Sequence, residues 1–209
     1  MGRREANKAD KLRRLTLAGL TRFREQGYDA TSIAHIVSDA DVARGTFYLY
    51  FPDRLALFDA LLDRWFEPLD ALLDEERQRL EQATTRAESR AIYEDIGGKA
   101  AMLALEHGQS LLLAFQESRS PSEAGDRVRE REAHVLATII ALTDLAASRG
   151  LIDAPHPEVA SRVVMGAVEK MLYDVLTTDW DVDPVAVAQE TVRLLVTSLG
   201  AAVRREEET

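Results

Sequence analysis

Between Thr31 and Arg54 the chain reads TSIAHIVSDADVARGTFYLYFPDR, and this stretch constrains the fold more than any other. Ile33, Ile36 and Val37 recur at three- and four-residue spacing, which predicts the apolar face of a helix running to about Asp39, with Thr31 as its N-cap. The turn Asp39-Ala40-Asp41-Val42 separates it from a second short helix, expected from about Ala43 to Phe51. Phe47 and Phe51, four apart, share a face and are expected to pack inward, which turns Arg44 and Tyr48 the other way.

The stretch before it supports rather than competes. From about Asn7 to Gln26, Leu12, Leu15, Gly19 and Phe23 form one helical stripe. Gly27 suits the left-handed position past a helix end, and Tyr28 is placed to fold back on the last turn. Three helices, the last two forming a helix-turn-helix, therefore fill the front of the chain. Gly45 inside so short a helix costs roughly 1 kcal/mol against Ala, and its missing side chain would let a phosphate approach the backbone closely.

Charge sharpens this. The net charge of −10 argues against a polyanionic partner until it is divided. Residues 1–54 hold ten Lys/Arg against seven Asp/Glu, and residues 55–209 hold sixteen against twenty-nine. A basic segment on an acidic chain says more about partners than the total does. Arg3, Arg4, Lys8, Lys11, Arg13 and Arg14 crowd the very front, as a solubilising tail or as an arm that reaches the DNA groove or backbone.

The series Thr-Ser-x3-Ile-Val-x2-Ala-Asp-Val-Ala-Arg-Gly-Thr-Phe-Tyr-Leu-Tyr-Phe-Pro-Asp-Arg-x2-Leu resembles the DNA-binding signature of TetR family transcriptional regulators, over roughly residues 10–65. The chain departs from the usual form at Asp41 (Gly in the family), Ala43 (Ser), Val37 (Ala), Arg54 (Lys) and Arg22 (often Leu). Asp tolerates the left-handed conformation better than most residues, so the turn is expected to survive. The resemblance implies an all-α, two-domain homodimer: a helix-turn-helix DNA-binding domain over residues 1–54 and a helical regulatory and dimerisation domain over 55–209. It implies a transcriptional regulator, most simply a repressor, that holds a palindromic double-stranded DNA operator and is released by a small-molecule effector. A helix in the major groove presents its first residues to base edges. Arg44 is the expected base reader, its planar fork matching guanine. Thr31, Ser32, Gly45, Thr46, Tyr48, Tyr50 and Arg54 complete the expected DNA-binding set.

Beyond Arg54 the periodicity is helical throughout. One long helix runs from Leu55 past Leu73, with Pro68 expected to bend or interrupt it. Two helices are predicted between Ala91 and Arg119, interrupted by Gly97-Gly98 and joined near Gly108. Others follow over 122–149, 158–178 and 184–205. The last two carry broad faces of small and apolar residues: Val163, Val164, Ala167 and Met171, then Val187, Thr191, Leu194, Leu195 and Leu199. The resemblance makes these the dimer interface. It also implies an effector pocket in the body, for which Tyr93, Met102, His107, Gln109, Gln116, His134, Thr138, Met165, Glu169 and Tyr173 are candidates, being polar or adaptable residues in apolar stretches.

Other classes fare worse. With no cysteine there is no disulfide framework and no thiolate chemistry. The four histidines, His35, His107, His134 and His156, lack metal-ligand spacing, and no phosphate loop or nucleophile elbow is present, so neither enzyme activity, metal nor cofactor is expected. Asp179, Asp181, Asp183 and Glu190 mimic a calcium-loop spacing, but Pro184 stands where that loop needs Gly, and Asp-Pro is an ordinary helix start. No run of eighteen apolar residues exists and the N-terminus lacks a signal peptide's apolar segment, so a cytoplasmic protein without a membrane partner is expected. A constitutive DNA-binding module without effector, and a helical-bundle enzyme with a vestigial motif, stand as the alternatives.

Overall fold

The computed structural model describes residues 2–179 and 181–201, with side chains for all of these except Arg3 and residues 195–201. Among them the chain is all helical: α1 (Arg3–Ala30), α2 (Ile33–Asp39), α3 (Arg44–Phe47), α4 (Arg54–Gln82), α5 (Arg86–Glu106), α6 (Gly108–Glu117), α7 (Glu123–Ser148), α8 (Pro157–Thr177) and α9 (Pro184–Ala201). They form two compact units, one of residues 1–66 with 109–131, the other of residues 67–108 with 132–209.

The first unit is built on α1. The helix starts at Arg3 rather than near Asn7, because Glu5 accepts a hydrogen bond from the Gly2 N–H at 3.0 Å and caps the first turn. The basic front is thus helical. Gly27 breaks the helix with φ +79°, a value that favours glycine, and Tyr28 then folds back into an aromatic cluster with Phe23 and Phe58, ring centres 5.3–5.6 Å apart. Leu15, Phe23, Ile36, Phe47, Phe58 and Leu61 are almost fully buried. Leu12, expected in this stripe, is exposed.

α6 belongs to the same core, and its last residues reach α1. Glu117, a buried carboxylate, accepts from the Tyr28 N–H at 2.9 Å, and the Gln116 amide donates to the Phe23 carbonyl at 3.3 Å. These two bonds satisfy backbone groups that the break at Gly27 leaves without helical partners. Along α4 and α7, Asp63 pairs with Arg131, and Asp59 lies 3.9 Å from Arg127.

In the second unit α5 packs on α9, and α8 on α9. Gly97 and Gly98 do not interrupt α5, contrary to the expectation; they let α9 come close. A Cβ on Gly97 would lie 2.7 Å from Val192 Cγ2 and 3.3 Å from the Ala188 carbonyl oxygen. Pro68 does not interrupt α4 either. Arg149 donates to the carbonyls of Leu80, Glu81 and Ala83, closing the C-terminal end of α4. The fully buried carboxylate of Glu76 is met at 2.6 Å by both Arg79 and Lys99. Two cations and short bonds are what a buried charge requires.

Candidate nucleic-acid interface

Each support of the helix-turn-helix is visible in the sequence once its partner is known. Ser32, not Thr31, caps α2: its hydroxyl accepts from the His35 N–H at 3.2 Å. Thr31 is fully buried, and its hydroxyl donates to the Gly27 carbonyl at 2.8 Å. The β-branched side chain fills the crevice behind the Gly27 break and is not turned to solvent.

The turn contains Asp41 with φ +48°, the left-handed conformation expected there. Arg14 of α1 steadies it, donating to the Asp41 carbonyl at 2.6 Å and to its carboxylate at 2.9 Å. Arg22 pairs with Asp39 at the end of α2, and its guanidinium holds that carboxyl below the usual range. Arg22 departs from the usual Leu, and this pair is its structural role.

α3 is shorter than predicted. Regular helix ends at Phe47, and the chain continues to Tyr50 through turns in which Leu49 and Tyr50 each donate three residues back. Pro52 disfavours helical backbone at Phe51, so the last turn tightens instead of propagating. Phe47 and Phe51 nevertheless point inward as expected, ring centres 5.7 Å apart and both buried. Tyr50 is half-buried and its hydroxyl donates to the Lys8 carbonyl at 2.9 Å, tying the end of this segment to α1.

With these anchors fixed, the remaining expected DNA-binding residues divide. Arg44 and Gly45 are exposed at the start of α3, and Arg44 makes no hydrogen bond or ion pair among the described residues. Nothing lies within 4 Å of a Cβ built on Gly45. Thr46 is half-buried and Tyr48 is exposed, edge-on to Phe47. Arg54 turns inward: its guanidinium lies 3.9 Å from the centre of the Tyr28 ring and donates to the carbonyls of Asp29 and Thr31. That is a packing role, and nothing in the local sequence around Arg54 announced it. Leu49, outside the expected set, is 79% exposed two residues past the end of α3.

The pocket candidates are less gathered. Gln109 and Gln116 belong to the first unit and the others to the second. Met102, His134, Glu169 and Tyr173 are exposed, and Thr138 and Met165 are half-buried. Tyr93 is half-buried, with its hydroxyl donating to the Leu142 carbonyl at 3.2 Å, and desolvation pushes its pKa up to about 12. His107 ends α5, and its Nδ1 is buried with no hydrogen-bond partner among the described residues.

Of the expected dimer residues, Val163 and Leu194 are 55% exposed, while Val164, Ala167, Met171, Val187 and Thr191 are half-buried. Val159, Val163, Gly166 and Tyr173 share one face of α8 and are all exposed. The side chains of Leu195 and Leu199 lie outside the described residues. In the calcium-like series, Asp183 caps α9, accepting from the Val185 N–H at 3.0 Å, and Glu190 pairs with Arg193. No group of three metal-binding side chains occurs among the described residues, nor any helix long and apolar enough to cross a membrane.

Residues 15–61, which hold the helix-turn-helix, match the family model described as bacterial regulatory proteins, tetR family. The chain is 22% identical over 84% of its length to the fatty acid metabolism regulator protein of Bacillus subtilis, covering 88% of that protein. It is 23% identical over 96% of its length to the HTH-type transcriptional repressor BepR of Brucella suis, covering 97% of it. Among solved structures, the transcriptional regulator FadR from Bacillus subtilis in complex with stearoyl-CoA superposes with a TM-score of 0.67 at 18% identity, over 88% of this chain and 97% of that one. A helix-turn-helix with these supports, on a body whose all-helical fold those solved regulators share, gives the assignment: residues 15–61 form a DNA-binding domain of the tetR family of bacterial regulatory proteins.

Proposed function

We propose that this regulator is a homodimeric repressor that reads a two-fold symmetric DNA operator through α3 and leaves it when a small molecule binds the body. The observation that carries the reading is Arg44: an exposed guanidinium without an internal partner, on a short helix whose other contacts are all fixed. Such a side chain is free to take the bidentate acceptor pair of a guanine. Ser32, Thr46 and Tyr48 flank it as phosphate contacts, Gly45 lets the backbone come close, and Thr31, Tyr50 and Arg54 hold the frame. Residues 1–54 would do the reading, and residues 55–209 would supply the dimer contact and the effector response.

The exposed apolar side chains Val159 and Val163 of α8 and Leu194 of α9 support pairing with a second copy. A patch of that kind on a lone chain calls for cover. His107 supports an effector site, because a buried ring nitrogen without a partner is a group that a ligand satisfies. Stearoyl-CoA, present in the FadR structure, is the first effector to try.

Selection of bound duplexes from a random pool tests the reading. It is expected to enrich a palindrome whose half-site centres lie about one helical turn, roughly 34 Å, or a multiple of it apart. Enrichment of no sequence, or of a single unrepeated half-site, would overturn it. An effector that weakens operator binding must itself bind the operator complex more weakly by the same factor.

A further inference from the structure

The cations of α1 fall into two groups. Arg13 pairs with Asp10, Arg14 with Asp10 and Asp41, and Arg22 with Asp39. Arg4, Lys8 and Lys11 have no acidic partner among the described residues. Their spacing of four and three places all three on one helix face. Other contacts of α1 fix where that face points. Tyr50 donates to the Lys8 carbonyl, and Arg14, three residues beyond Lys11, donates to the Asp41 carbonyl and carboxylate. Leu15, four beyond Lys11, is fully buried. The three cations therefore prolong the face that α1 turns toward the helix-turn-helix, on the turns that run past the core. An apolar face there would find nothing to pack on. Three positive charges without an acidic partner, on the helix that Tyr50 ties to the end of the α3 segment, suit a polyanion that extends past α3.

We infer that Arg4, Lys8 and Lys11 form a phosphate-gripping stripe for the DNA backbone flanking the half-site read by α3. The inference rests on the DNA-binding reading above. From Arg4 to Lys11 the helix rises about 10 Å, a length over which one strand of the duplex carries about three phosphates. Such contacts hold register and add affinity without reading sequence.

Fluorescence anisotropy of the full-length protein across a salt series tests this, with a random-sequence duplex and with the duplex selected above. The triple variant Arg4→Gln, Lys8→Gln, Lys11→Gln should lower the slope of log affinity against log salt by about 2.7 per bound chain, about 0.9 for each lost contact. The same drop is expected on both duplexes, leaving the preference between them unchanged. Lys8→Gln alone should remove about 0.9. The charge-keeping variant Arg4→Lys, Lys8→Arg, Lys11→Arg should retain the wild-type slope. An unchanged slope in a triple variant that melts like the wild type would overturn the stripe. So would a lost preference for the selected duplex, which would make these residues base readers. If the wild type showed no salt-dependent duplex binding at all, the DNA-binding reading itself would fall.

Discussion

Tyr93 shows how far a single side chain can be followed. Burial raises its hydroxyl to about 12, and the group donates to the Leu142 carbonyl. Below its ordinary value both the folded and unfolded chains keep the proton. As pH rises past about 10 the unfolded chain loses it first, so stability falls until about pH 12 and then levels, by about 2–3 kcal/mol in all. Tyr93→Phe should cost about 1 kcal/mol near neutral pH through the lost hydrogen bond, yet lose stability less steeply between about pH 10 and 12. Urea denaturation of both proteins across that range checks it; parallel pH profiles would contradict it. At this scale the sequence was unevenly readable. The exposure of Arg44 could be foreseen from its place between Ala43 and Gly45 on a helix with two inward Phe. Arg54 could not, because a long side chain at a helix start has several local options. What fixes it is the Tyr28 ring and carbonyls more than twenty residues away.

Elements were legible where periodicity decided them and less so where tertiary contact did. Gly97-Gly98 reads locally as an interruption, since glycine weakens a helix. α5 runs straight through because α9 needs the space, with Val192 and the Ala188 carbonyl against Gly97. Gly97→Ala would gain about 1 kcal/mol of helix propensity but would force a methyl against the stiff, β-branched Val192, an overpacking that costs about 1–3 kcal/mol. The net effect should be a lower melting temperature. Gly166→Ala, with nothing within 4 Å of its Cβ, should not lower the stability of the fold. Thermal denaturation of the two variants decides the matter, and a stabilised Gly97→Ala would contradict the close approach. The shortness of α3 and the early start of α1 have local causes instead, Pro52 directly after Phe51 in the first case and the Glu5 cap on Gly2 in the second.

At the scale of the whole molecule, the net charge of −10 conceals a basic front, ten Lys/Arg against seven Asp/Glu over residues 1–54, on an acidic remainder. The all-helical architecture and the tetR-like helix-turn-helix could be read from the chain, whereas the residues of an effector pocket could not. Pocket residues are chosen by converging side chains from distant helices, and side chains such as Met102 and Glu169 on exposed faces look the same in sequence as those lining an interior. The central claim is that α3 reads base sequence through Arg44. Its most direct test is a titration of wild type and Arg44→Ala against the selected operator and against random duplex. The variant should lose about 1–3 kcal/mol on the operator, roughly 5- to 150-fold in affinity, with little change on random DNA. Equal loss on both, or none on the operator, would contradict it.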